Sequence, residues 1–174
     1  MRVVAGTAGG RRLAGPPGRS TRPTSDRVRE ATFNALASLG VLPGATVLDL
    51  FAGSGALGIE ALSRGAARVT FVDADPRALT VVRANLAATG LAAEADVVRS
   101  DAARFLAGAP GRFDLALLDP PYRFDDRAWA SVLARLEAEL AVLESDREID
   151  PGEGWELLRC RSYGATVVAL VRVR

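Results

Sequence analysis

Between residues 45 and 144 the chain repeats one pattern: a short β-branched, apolar run, a turn, then a segment with helical spacing. The apolar runs are Ala45–Leu50, Arg68–Val72, Asp96–Arg99, Phe113–Leu118 and Leu140–Glu144. Helical spacing is expected near 55–64, from Pro76 onward, at 102–106 and at 126–139. Runs this apolar, separated by helices, are buried on both faces, so the pattern predicts a parallel sheet covered on either side. The pattern breaks after a polar loop at 146–154. Trp155–Arg161 and Thr166–Val173, joined through Ser162-Tyr163-Gly164, predict an antiparallel hairpin closing the sheet. Before the alternation, a helix near 25–39 is expected, with Thr24 or Ser25 as its cap. A short strand is expected at Arg2–Ala5, and the rest of residues 1–23 forms a basic N-terminal arm on a single domain spanning 24–174.

Several chemistries are excluded by composition. The chain of 174 residues has no His and one Cys. A zinc site of the usual ligands is therefore not expected, and Ser-His-Asp or Cys-His catalysis lacks its base. A lone Cys160 forms no internal disulfide, so a reducing, cytoplasmic setting is the default. No run of apolar residues is long enough for a membrane span, and the first residues carry no apolar leader core. Net charge is +1, but residues 1–30 hold seven arginines against Asp26 and Glu30, a net +5, which leaves −4 on the remainder. A basic arm on a mildly acidic body suits an anionic partner, although a solvated terminus has the same composition.

Two loops carry the chemistry. Asp49-Leu-Phe-Ala-Gly-Ser-Gly-Ala-Leu-Gly58 joins the first core strand to its helix, and Gly53, Gly55 and Gly58 spell G-x-G-x-x-G. Such a turn lets backbone approach a ligand closely. Asp73 ends the second strand, where a carboxylate can accept from a ribose diol, and Asp101 follows the third, where it can meet an adenine amino group or cap a helix. A nicotinamide dinucleotide would share these features. Asp49, directly before the glycines, would repel a pyrophosphate and attract a cationic amino acid end, which favours S-adenosylmethionine (AdoMet).

The second loop is Asp119-Pro120-Pro121-Tyr122, directly after the fourth strand. Two prolines stiffen the backbone and fix the directions of the Asp119 carboxylate and the Pro120 carbonyl. Both accept, and together they suit one exocyclic amino group, while Tyr122 offers a stacking face for an extruded base. An exocyclic base nitrogen is a poor nucleophile, and holding its two hydrogens orients its lone pair toward a methyl donor.

Together these residues resemble the bacterial 16S rRNA (guanine-N2)-methyltransferases of the RsmD type. The likeness runs through Arg2-Val-Val-Ala-Gly6, Gly10-Arg-Arg-Leu13, Arg22-Pro-Thr-Ser-Asp-Arg-Val-Arg-Glu30, Phe33-Asn34, Phe51–Gly58 with Glu60–Ser63, and Asp119–Tyr122. The segment 145–156 fits the pattern poorly. The resemblance implies a Rossmann-like class I methyltransferase: an α/β fold with a mostly parallel seven-stranded sheet and a C-terminal antiparallel hairpin. It implies a monomer that takes its methyl from AdoMet, needs no metal or membrane, and acts on a guanine of 16S rRNA in a small ribosomal subunit or an assembly intermediate. It implies catalytic roles for Asp119, Pro120 and Tyr122, and AdoMet contacts from Thr24, Asp49, Phe51, Ala52, Gly53, Ser54, Gly55, Asp73, Ala74, Asp101 and Ala102. Arg2, Arg11, Arg12, Arg22 and Arg27 would face RNA. Competing expectations are an adenine-N6 or cytosine-N4 enzyme on the same fold and a non-catalytic nucleic-acid binder; the first lacks a target-recognition domain, and the intact loops argue against the second.

Overall fold

The computed structural model describes residues 1–15, 26–121 and 123–174. Among them, seven strands form one sheet: β1 (Thr46–Asp49), β2 (Arg68–Asp73), β3 (Ala95–Arg99), β4 (Phe113–Leu118), β5 (Ala138–Ser145), β6 (Trp155–Tyr163) and β7 (Thr166–Val173). Their order is β3-β2-β1-β4-β5-β7-β6. The first five are mutually parallel, and β7 enters antiparallel between β5 and β6. The strand order reverses between β1 and β4, and a crevice opens at the carboxyl ends of such a pair.

Helices α1 (Asp26–Ser38), α2 (Ala56–Ser63) and α3 (Pro76–Thr89) cover one face. Helices α4 (Ala102–Ala107) and α5 (Asp126–Leu133) cover the other. Strand alternation sends Val47, Val69, Phe71, Leu115, Leu117 and Val142 into the first layer, and Leu48, Val72, Ala116, Leu118 and Leu143 into the second. Asp75 caps α3 by accepting from the Arg77 amide at 2.9 Å, with Pro76 at the first helical position.

The helix expected over 126–139 stops at Leu133. Its apolar spacing continues past that point, but Phe113 pairs with Ala138, so strand β5 begins two residues before the expected Leu140. Register with β4 overrides local helical preference there. The expected strand at Arg2–Ala5 is reduced to a single bridge between Arg2 and Arg12. The closing hairpin turns on two residues, Gly164 and Ala165, because Tyr163 pairs directly with Thr166. Thr24 and Ser25, named as caps for α1, lie outside the described residues.

The first 15 residues pack on the body. Val3, Ala8 and Leu13 are buried in the α1–α3 layer. A buried carboxylate holds them there: Glu60 Oε2 accepts from the Val4 amide at 2.8 Å, and Oε1 from the Ala5 amide at 3.1 Å. Ser63 Oγ accepts from the Ala8 amide at 2.9 Å and donates to the Ala5 carbonyl. Gly6 passes so close that a Cβ there would sit 1.8 Å from the Ser63 carbonyl oxygen. Arg29, counted with the basic arm by sequence, is fully buried; it pairs with Asp26 at 2.9 Å and Glu60 at 3.5 Å and donates to the Arg2 carbonyl.

Candidate active site

Four acidic residues stand at the carboxyl ends of four adjacent strands: Asp73 on β2, Asp49 on β1, Asp119 after β4 and Glu144 on β5. Alternation along the strands puts Asp49, Asp73 and Glu144 on the face covered by α1, α2 and α3, and Asp119 directly follows β4. The row crosses the point where strand order reverses.

Its β1–β2 half is built around the glycine turn. Gly53 and Gly55 have φ of +55° and +79°, values that residues with a Cβ rarely adopt. A Cβ on Gly53 would meet nothing nearer than 3.9 Å, so open space lies above the turn. Gly58 has another purpose: it lies within α2, and a Cβ there would come within 2.3 Å of the buried Phe71 ring. The turn is held by Asp73, whose Oδ2 accepts from the Gly53 amide at 2.9 Å and whose Oδ1 accepts from the Asp75 amide at 2.8 Å. The Ala52 amide donates to the Val72 carbonyl at 3.0 Å. Ala74 is exposed beside this turn, and Phe51 and Ser54 are half-buried.

Asp49 lies beneath the turn, 1% exposed, and its Oδ2 accepts from the Gly58 amide at 2.9 Å. Burial pushes its carboxyl up to about 7; the Gly58 amide opposes the shift, and the nearby Asp73 charge adds to it. Such a group gains from a cation brought to it. Asp101 caps α4 by accepting from the Arg104 amide at 2.9 Å, which leaves Ala102 as the first helical residue beside it.

The β4–β5 half is a cleft. One wall is Asp119, Pro120, Pro121 and Phe124, and the other is Glu144, Ser145, Arg147 and Thr166. Leu118 pairs with Leu143, so Asp119 and Glu144 are the next residues on neighbouring strands. Glu144 is 8% exposed. The Phe124 amide donates to the Pro121 carbonyl at 2.8 Å, folding the loop back. The Phe124 ring meets Phe51 edge-on at 5.3 Å and Trp129 at 5.4 Å, joining the two halves. Arg147 fixes the far wall, donating to the Phe124 carbonyl at 3.0 Å, to Asp126 at 2.6 Å and to Asp146 at 2.9 Å.

Asp49, Phe51–Gly55, Asp73, Asp119 and Pro120 thus lie along one edge of the sheet, at the carboxyl ends of β2, β1 and β4, with Asp101 and Ala102 at the end of the neighbouring β3. Thr24, Arg22 and Tyr122 lie outside the described residues. Arg2, Arg11, Arg12 and Arg27 are exposed on the α1–α3 face; Arg11 donates to the Ala88 carbonyl at 2.9 Å. Sequence reasoning missed Glu144, Arg147, Phe124 and Asn85. Asn85 is buried in α3; its amide group donates to the Ser54 carbonyl at 2.8 Å and to the Ala14 carbonyl at 3.0 Å, tying the N-terminal segment to the glycine turn. A lone Asn in a helix gives no local signal of that kind. Glu144 does give one, as a carboxylate closing an apolar strand one place beyond the core. Among the described residues, no group of acidic or thiol side chains is arranged to hold a metal, and no helix is long and apolar enough to cross a membrane.

A family model described as conserved hypothetical protein 95 matches residues 1–172. YlbH of Bacillus subtilis, a candidate rRNA methyltransferase, is 41% identical over the full length of both chains. Ribosomal RNA small subunit methyltransferase D of Escherichia coli is 36% identical over 98% of this chain and 88% of its own length. The chain belongs to the RsmD family. It is a methyltransferase by that membership, with the class I architecture expected from its sequence. A solved structure of the Escherichia coli candidate methyltransferase yhhF superposes with a TM-score of 0.86 at 37% identity, covering 100% of this chain and 98% of that one.

Proposed function

We propose that this enzyme transfers a methyl group from AdoMet to the exocyclic N2 of a guanine in 16S rRNA, on a small ribosomal subunit or its assembly intermediate. The observation that carries the reading is the acidic row. Its β1–β2 half suits a cationic nucleoside, and its β4–β5 half presents acceptors for an amino group. The rRNA substrate follows from the name of the Escherichia coli relative, small subunit methyltransferase D, and the guanine from the family likeness.

The residues fit AdoMet. The open space above Gly53 admits its bulk, the buried Asp49 carboxylate suits its α-ammonium, Asp73 suits the ribose hydroxyls and Asp101 the adenine amino group. Phe51, Ala52, Ser54, Gly55, Ala74, Ala102 and Thr24 complete this assignment. When bound, the cofactor supplies an electrophilic methyl carbon on a sulfonium sulfur. Asp119 and the Pro120 carbonyl accept from the two N2 hydrogens and turn the nitrogen lone pair toward that carbon. Pro121 and Phe124 line the cleft with apolar surface, and the stacking face for the base is assigned to Tyr122, which lies outside the described residues. The methylated nitrogen sheds a proton, for which Asp119 is the adjacent acceptor. Residues 1–23, whose first fifteen pack on the body, and the start of α1 form the RNA face of the domain 24–174, with Arg2, Arg11, Arg12, Arg22 and Arg27 facing phosphate.

Labelled AdoMet offered to under-methylated small subunits and to naked 16S rRNA tests the proposal, with the product nucleoside identified by mass. N2-methylguanosine is the expected product. Transfer to duplex DNA but not to RNA would overturn the substrate.

A further inference from the structure

We infer that Glu144 is the residue that selects guanine, by accepting a hydrogen bond from the guanine ring N1–H while Asp119 and the Pro120 carbonyl hold the adjacent amino group. This rests on the proposed guanine-N2 activity and adds to it a residue that reads the base.

The argument begins with base chemistry. Three bases carry an exocyclic amino group. In adenine and cytosine the ring nitrogen commonly read beside that group bears a lone pair. In guanine the amino group on C2 has N1–H beside it, so that edge presents adjacent donors. A site for guanine N2 therefore needs a second acceptor directly beside the first, and the same acceptor repels the lone pair of the other two bases.

The sheet supplies that acceptor. Asp119 and Glu144 directly follow the paired residues Leu118 and Leu143 on adjacent parallel strands, and adjacent strands lie about 5 Å apart. Both residues line the same cleft. Glu144 is 8% exposed on a strand paired on both sides, by β4 and β7, so its position is set by the sheet rather than by a loop. The cleft is also lined by the apolar residues Pro121 and Phe124, which distinguishes it from a bare patch of acids. Arg147, which also lines the cleft, is tied to the Phe124 carbonyl and to Asp126.

The test uses 2-aminopurine, which keeps the 2-amino group but has a lone pair at N1. The target nucleotide in small-subunit RNA is supplied as guanine or as 2-aminopurine, and methyl transfer is measured for wild type and for Glu144→Gln. Wild type is expected to prefer guanine strongly. The side-chain amide that Glu144→Gln introduces can donate to the N1 lone pair, so the guanine/2-aminopurine ratio of kcat/KM should fall at least about tenfold. Loss of the O6 acceptor in 2-aminopurine affects both proteins alike and cancels in that comparison. AdoMet affinity of Glu144→Gln, measured by calorimetry, should match wild type and shows that the variant is folded. An equal fall on both substrates, or no fall on either, would overturn the role of Glu144 while leaving the guanine reading intact. A wild-type product other than N2-methylguanosine would overturn the guanine reading itself, and this inference with it.

Discussion

Asp49 ties the stability of the ligand-free protein to pH, and the sign is opposite to that of an ordinary surface carboxylate. Burial moves its carboxyl from 3.8 to about 7, so between those values the folded protein binds a proton that the unfolded chain has released. The contribution of Asp49 to stability is therefore whole below about pH 4, falls as pH rises, and is gone above about pH 7. A shift of that size corresponds to about 4 kcal/mol across the window. Other groups run the other way: Asp96, held low by its Arg68 hydrogen bonds, and Asp114, held low by Thr46, lose their contributions as pH falls. The informative quantity is thus the difference between wild type and Asp49→Asn, which keeps size and an acceptor for the Gly58 amide but does not titrate. Urea unfolding of both proteins, without cofactor, at intervals from pH 4 to 8 should show wild type losing about 4 kcal/mol relative to the variant. Parallel stability curves across that range would refute the reasoning. With AdoMet bound, the cation should draw the proton off Asp49, so affinity should rise with pH up to about 7 and then level.

Asp119→Ala should abolish methyl transfer while leaving AdoMet affinity within a few-fold of wild type by calorimetry, since Asp119 lies on the β4–β5 side of the row. Gly58→Ala gains about 1 kcal/mol of helix propensity but drives a Cβ to 2.3 Å from the buried Phe71 ring, and overpacking of about 1–3 kcal/mol should dominate, lowering the urea midpoint. Glu60→Gln removes one of the two carboxylates paired with the fully buried Arg29, leaving Asp26, and should cost about 1–3 kcal/mol, with protease cleavage near residues 1–15 appearing before global unfolding. Replacing Arg11 and Arg12 together by Ala should weaken RNA binding and reduce its salt slope by about 2; an unchanged slope would remove them from the RNA contact.

The strand–helix alternation was legible because each strand is short, apolar and bounded by a turn residue, and because parallel pairing needs a helix between strands. The glycine turn and the Asp119 loop were legible because their residue types are chosen by backbone geometry, which is local. The end of α5 was not, since its limit is set by pairing across to β4, a contact that local spacing does not encode. The same reason hid the packing of residues 1–15. Their glycines and arginines read as an unattached arm, and what fastens them are single side chains more than fifty positions away, Glu60, Ser63 and Asn85, bonding to backbone groups.

That distant fastening bears on how the site works. Asn85 accepts from the Ala14 amide at 2.9 Å and donates to the carbonyls of Ala14 and Ser54. The N-terminal segment carrying Arg11 and Arg12 therefore shares one buried side chain with the turn formed by Gly53 and Gly55. Displacing Ala14 would leave the buried Asn85 side chain short of two partners, at a cost of about 1–3 kcal/mol. Asn85 thus links the basic segment to the glycine turn, alongside the bonds that Glu60 and Ser63 make to the segment and that Asp73 makes to the turn.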